Sequence, residues 1–175
     1  MSFILTDEHI IKRPSIALPY KASEFLREVV ADIRAVARMR NVVFDMHTWV
    51  TARWDGSCAV CAAGAWVFRK CDRKAMDLHT IQNLIEEMMD EEIPVSNIMH
   101  AIDELRTGDV QGFMLNMEDY YCDAADAFEG DGSEETELSK ELYACFPDRH
   151  NIGNDHKKVA KSFLQCAEVF EKHGF

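Results

Sequence analysis

Apolar residues recur at helical spacing in segment after segment, and this period constrains the fold more than any other feature of the chain. Phe25, Leu26, Val29, Val30, Ile33, Val36 and Ala37 mark one face of a helix, with Glu24, Arg27, Glu28, Asp32, Arg34 and Arg38 on the other. Ser23 is its expected N-cap and Asn41 its expected stop. A second helix is expected to open at Thr80, burying Ile81, Leu84, Ile85, Met88 and Met89 while Glu86, Glu87, Asp90 and Glu91 face outward. Pro94 suits a first helical position and leads Val95, Ile98, Met99, Ile102 and Leu105 towards Gly108. Asp109 can cap a helix running through Phe113, Met117 and Tyr121 to Phe128. A short helix with Leu138, Leu142 and Phe146 stops at Pro147, and Asp155 begins a last one with Val159, Phe163, Ala167 and Phe170, ending at Gly174. The fold class expected is mainly α, with α+β possible: one domain of six to seven helices over residues 1–175, preceded by an extended or β element.

The segments outside this period are few. Residues 1–20, broken by Pro14 and Pro19, read as an arm. Val42 to Val50 is rich in β-branched and aromatic residues and reads as a strand pair or an irregular segment, with Asp55-Gly56 as a turn. Residues 57–70 are apolar nearly all round, so as a helix they would lie at the centre. Their small residues Ala59, Ala62, Ala63 and Gly64 would let a neighbouring backbone approach closely. Residues 129–135 and 148–154 read as loops.

Charge is divided along the chain. Residues 1–75 hold 12 Lys/Arg against 8 Asp/Glu, and residues 76–175 hold 7 against 23, within a net charge of −12. Such an excess of carboxylates repels phosphates and argues against direct nucleic-acid binding, while suiting a basic partner or plain solubility. Arg34, Arg38, Arg40, Arg53, Arg69, Lys70, Arg73 and Lys74 lie near Trp49, Trp54 and Trp66, a composition that can bind single strands. The competing expectation is that this basic half simply faces the acidic half. A pocket lined by the three tryptophans is a further reading.

The start of the sequence has no basic region and only a three-residue apolar run, so no signal peptide is expected, and nothing approaches a membrane span. The six cysteines are therefore read as reduced thiols in a cytoplasmic protein. Cys58, Cys61, Cys71 and His79 supply four zinc-type ligands within 22 residues, although the first two sit in an apolar run without knuckle glycines. Buried free thiols explain the same residues. Lys70 and Arg73 beside Cys71 would favour a thiolate, and seven histidines are available as bases. The acids Asp123, Asp126, Glu129, Asp131, Glu134 and Glu135 do not keep the register of a calcium loop and read as a solvated cluster. HExxH, ExxH, Walker, GxGxxG and GxSxG motifs are all absent from the sequence.

Phe44-Asp45-Met46-His47-Thr48-Trp49, followed by Cys58-x2-Cys61-x2-Gly64-Ala65, resembles a segment of small phage and bacterial proteins with no assigned activity. Those carry an aromatic-Asp/Asn-Met-x-x-Trp stretch and then a Cys-x2-Cys-x-Ala-Gly-Trp-like helix. Here an alanine intervenes before Trp66. Ile152-Gly153-Asn154-Asp155 is similar to an Asn-Asp element in some of them. The resemblance covers about 25 residues and implies a phage or mobile-element setting.

The leading expectation is a non-enzymatic acidic protein that binds and modulates or inhibits a basic nucleic-acid-processing or defence protein of its host. Glu86, Glu87, Asp90, Glu91, Asp103, Glu104, Glu118, Asp119, Asp123 and Asp126 are the expected contacts. The alternative is a small metal- or thiol-dependent enzyme centred on Cys58, Cys61, Cys71 and His79, with zinc as the cofactor.

Overall fold

Among the described residues, seven helices and three short strands form in the order the apolar spacing sets. A computed structural model describes residues 16–71, 76–90, 94–107, 109–121, 136–147 and 152–175. The elements are α1 (Ala22–Val36), β1 (Val42–Phe44), β2 (Val50–Ala52), β3 (Cys58–Val60), α2 (Ala62–Lys70), α3 (Leu78–Met89), α4 (Pro94–Thr107), α5 (Val110–Tyr121), α6 (Glu137–Ala144) and α7 (His156–Lys172). The class is mainly α with a small β element, as expected. The acidic loop 129–135, the stretch up to Phe128, most of the N-terminal arm and residues 148–151 lie outside the described residues.

Side chains at the N-cap start most of the later helices. Asp77 accepts from Thr80 N at 2.9 Å, Asp109 from Gly112 N at 2.7 Å, and Asp155 from Lys157 N at 2.9 Å. Asp109 and Asp155 are the expected caps, and Pro94 is the first residue of α4, also as expected. The second expected start comes earlier: α3 begins at Leu78, two residues before Thr80, with Asp77 as its N-cap. The start of α1 shifts as well. Lys21 is its N-cap and makes no side-chain cap, while Ser23 is buried in the first turn. Packing of Ala22 and Ser23 into the core, not capping, sets that start. The other end of α1 comes early. The helix stops at Val36, and the carbonyl of Asn41 instead receives Cys58 N at 2.9 Å.

The apolar run 57–70 is not one helix. Its first part, Cys58–Val60, is the central strand, and only Ala62–Lys70 is helical. A run apolar on both sides suits a strand flanked by two neighbours as well as a buried helix. The sheet order is β1-β3-β2. β1 runs parallel to β3, pairing Val42 with Cys58 and Phe44 with Val60. β2 runs antiparallel to β3, pairing Val50 with Val60 and Ala52 with Cys58. Residues 42–52 thus form two strands that do not pair with each other, because β3 lies between them.

The buried residues form one continuous cluster. Helix α2 is near its middle, touching α1, α3, α4 and the sheet. Ala62, Ala63, Ala65, Trp66 and Val67 are all fully buried. The close approach expected of the small residues occurs at Gly64, where a Cβ would stand 1.9 Å from the Trp49 carbonyl oxygen. Cys61 N donates to that same oxygen at 3.1 Å. Trp49 ends a loop tied at several points: Asp45 N donates to Val60 O at 2.8 Å, and His47 N to Asp45 Oδ1 at 3.0 Å. Met46 N donates to Asn154 Oδ1 at 2.7 Å, joining the loop to the segment ahead of α7. The most extensive helix contact is between α1 and α7. Phe113, Phe146 and Phe163 meet edge to face at 5.7 to 6.5 Å between α5, the residues after α6, and α7.

Candidate functional site

The C-terminal half of α3 gathers exposed acids on a rigidly held helix end. Ile81, Leu84, Ile85, Met88 and Met89 are buried, which leaves Asn83, Glu86, Glu87 and Asp90 facing out. Gln82 donates from Nε2 to Glu86 Oε1 at 2.9 Å. Helix α3 contains no Lys or Arg. Three carboxylates therefore stand at the end of a helix where unsatisfied carbonyls already concentrate negative charge. One of those carbonyls is used to fix the helix end. Met89 O accepts from Ser96 Oγ at 2.9 Å and faces His100 Nε2 at 3.1 Å, both from α4. A carbonyl only accepts, so His100 carries its proton on Nε2 in this arrangement. Trp49 packs its ring edge to face on His100 at 6.1 Å, linking the helix end to the sheet loop.

The other expected contacts are distributed unevenly. Asp103 and Glu104 lie half-buried on α4, which packs on α3. Glu118 and Asp119 are residues of α5. Glu91, Asp123 and Asp126 lie outside the described residues.

The ion pairs of the first-half cations among the described residues are made away from this acidic end. Among the described residues, Arg69 Nε meets Asp32 at 3.5 Å, Lys70 Nζ meets Glu28 at 3.4 Å and Asp32 at 3.7 Å, and Arg53 meets Asp45 at 3.9 Å. Arg27 pairs with Glu171 of α7. Arg27–Glu171 is, among the described residues, the pairing expected of a basic half that faces the acidic half, and the other four lie within the first half, three of them between α1 and α2. Asp32 shows the balance of forces there. Burial raises its carboxyl above the usual range, against the pull of Lys70 and Arg69.

The three tryptophans do not share a pocket. Trp66 is fully buried, donates from Nε1 to Glu28 at 2.9 Å, and lies under Lys70 Nζ at 4.5 Å. Trp49 is half-buried. Trp54 is 99% exposed at the tip of the β2–β3 hairpin. It borders a cleft of about 650 Å³ with Arg53, Met76, Leu78, His79 and Ile81.

The expected zinc ligands sit in four different settings. Cys58 is in β3 and turns its thiol towards Ala59 O at 3.6 Å. Cys61 caps α2, its sulfur accepting from Gly64 N at 3.3 Å. Cys71 ends α2, and His79 is exposed on α3. Among the described residues, no three His, Cys, Asp or Glu side chains come together as a metal-holding group. Burial pushes the Cys71 thiol up to about 11, and Lys70 is directed to Glu28 and Asp32. The thiolate expected from its basic neighbour is thereby opposed by desolvation.

One link escaped the sequence reading: that of Met46 N to Asn154 Oδ1, whose signal was the Asn154-Asp155 pair ahead of a helix. No family model, curated protein or solved structure matches the chain. Among the described residues, no helix is long and apolar enough to cross a membrane.

Proposed function

We propose that the chain is a non-enzymatic interaction protein that docks the acidic end of α3 on a basic surface of a partner protein, modulating or inhibiting it. The observation that carries this reading is the placement of Glu86, Glu87 and Asp90. A helix gains stability from cations in its last turn, and α3 has carboxylates there instead. A feature that works against the helix suits a role outside the helix. The half-buried Asp103 and Glu104 extend the acidic character onto α4. Complementary charge speeds encounter and selects the partner more than it tightens the complex. The resemblance to phage and bacterial proteins favours, as partner, a basic nucleic-acid-processing or defence protein of a host cell.

The test is affinity capture from host extract with the wild-type chain and with a Glu86→Lys/Glu87→Lys/Asp90→Lys variant of unchanged circular dichroism. The expected result is a basic protein retained by the wild type, lost with the variant, and released as salt rises. Equal retention by both chains, or capture of nucleic acid alone, would overturn the reading.

A further inference from the structure

A single exposed apolar side chain is ordinary on a protein surface. Trp54 is set apart by its support and by what lies beside it. The support is a closed turn at the tip of the β2–β3 hairpin. Arg53 N donates to Ser57 O at 2.8 Å, Gly56 N to Arg53 O at 3.1 Å, and Ser57 N and Oγ to Asp55 Oδ1 at 2.9 and 2.6 Å. Ala52 N donates to Gln82 Oε1 at 2.9 Å, which fixes the hairpin to α3. The indole is thus held out on a rigid mount, 99% exposed. Beside it lies the cleft of about 650 Å³ between the hairpin and the start of α3, with Met76, Leu78 and Ile81 as its apolar lining. Clefts of roughly 300–1,000 Å³ take drug-sized molecules, so an indole has room here. Trp54 borders this cleft without filling it. Arg53 and Asp77 lie at the same cleft, one cation and one anion. Hydrogen bonds from Thr80 hold the Asp77 carboxyl below the usual range. Arg53 reaches Asp45 only at 3.9 Å, which leaves guanidinium donors for a second carboxylate.

We infer that this patch is a self-association surface, at which two copies of the chain pair about a twofold axis and each sets its Trp54 in the cleft of the other. A projection and a recess side by side on one surface are complementary to a second copy rotated by half a turn, which is what an isologous contact requires. The same rotation brings each Arg53 to the other copy's Asp77. A partner of one sign would satisfy only one of these charges, whereas a second copy carries both. Each indole covers roughly 150–250 Å² on burial. The contact is small, so the dimer is weak and reversible. Helix α3 borders the cleft with its first turn and holds Glu86, Glu87 and Asp90 at its other end. Pairing through the first turn leaves those acids unused.

The experiment is sedimentation equilibrium of the full chain from about 5 to about 500 µM, the range of weak transient contacts. Reducing agent is present, and salt is held at about 0.15 M to screen the net charge of −12. The expected result is a monomer–dimer equilibrium for the wild type. Trp54→Ala removes a side chain that supports nothing in its own chain, and is expected to weaken the dimer at least about thirtyfold, as loss of a central anchor does. Met76→Glu keeps the indole and puts a charge in the cleft, with Leu78→Gln in its place should circular dichroism show a disturbed fold. This variant is also expected to be monomeric. Mixed, Trp54→Ala and the cleft variant are expected to pair one to one, because the indole of the second still finds the intact cleft of the first. The Glu86→Lys/Glu87→Lys/Asp90→Lys variant is expected to dimerise, so this result is independent of the docking role of those acids. A wild type that stays monomeric throughout, a Trp54→Ala dimer as tight as the wild type, or a mixture that stays monomeric would each overturn the inference.

Discussion

Replacing Gly64 by alanine sets two effects of opposite sign against each other. Gly64 is the third residue of α2, and alanine in a helix is favoured over glycine by roughly 0.5–1 kcal/mol. Propensity alone therefore predicts a more stable protein. The packing predicts the reverse. The new Cβ would stand 1.9 Å from Trp49 O and 2.8 Å from Trp49 C, both backbone atoms, so no side chain can rotate away. Helix and loop must separate by about the width of a methyl contact, at a cost of roughly 1–3 kcal/mol for overpacking. The same movement stretches the bond from Cys61 N to Trp49 O, 3.1 Å long, which is worth about 1 kcal/mol. The net expectation is a loss of about 1–3 kcal/mol. For a chain of this length that lowers the thermal midpoint by about 2–12 °C. Thermal and urea unfolding followed by circular dichroism measure it, and Gly64→Ala at or above the wild-type midpoint would refute the packing argument.

Three other substitutions test separate parts of the fold. Asn154→Ala leaves Met46 N without its acceptor and should cost about 1–2 kcal/mol, read in urea unfolding, with faster hydrogen exchange at the Met46 amide. Asp32→Asn should cost little despite the ion pairs it breaks, because burial outweighs them. The sign follows from its raised carboxyl: the contribution of Asp32 is complete below the unfolded value, near pH 4, and is lost as pH rises through the folded value. The Asn variant should lose that slope, and an unchanged pH profile counts against it. Neutralising Glu86, Glu87 and Asp90 together to Gln, Gln and Asn should raise the thermal midpoint at low salt, with the gain shrinking as salt is added. A lower midpoint would show that these acids support the helix.

The helices were legible wherever a polar cap preceded a one-sided apolar period. Asp109, Asp155 and Pro94 open their helices as the spacing predicts, because the capping information is local. Apart from the local cap at Asp77, the misreadings share a cause in contacts made by distant residues. Val42–Phe44 and Val50–Ala52 were recognisable as extended, but only β3 could decide that they are not partners. Cys58–Val60 carries the same apolar composition as the helix after it, and its hydrogen bonds to two neighbours settle the difference. At the candidate site, the outward acids of α3 followed from periodicity, whereas the use of Met89 O by Ser96 and His100 depended on how α4 lies. The ligand set Cys58, Cys61, Cys71 and His79 looked plausible because residues close in sequence need not point together.

The pairing of α1 with α7 bears on how the chain is made. Synthesis runs from N- to C-terminus, so the apolar face of α1 leaves the ribosome more than a hundred residues before the helix that covers it. The Met46 amide waits as long for Asn154. During that interval, among the described residues, α1 has α2, β1 and Tyr121 of α5 to lean on, and the rest of its face is open to chaperones or to neighbouring nascent chains. Slow translation between the two helices would lengthen this exposure. The last helix therefore acts as a closure, and a chain cut short before residue 156 would keep its first helix unsheltered.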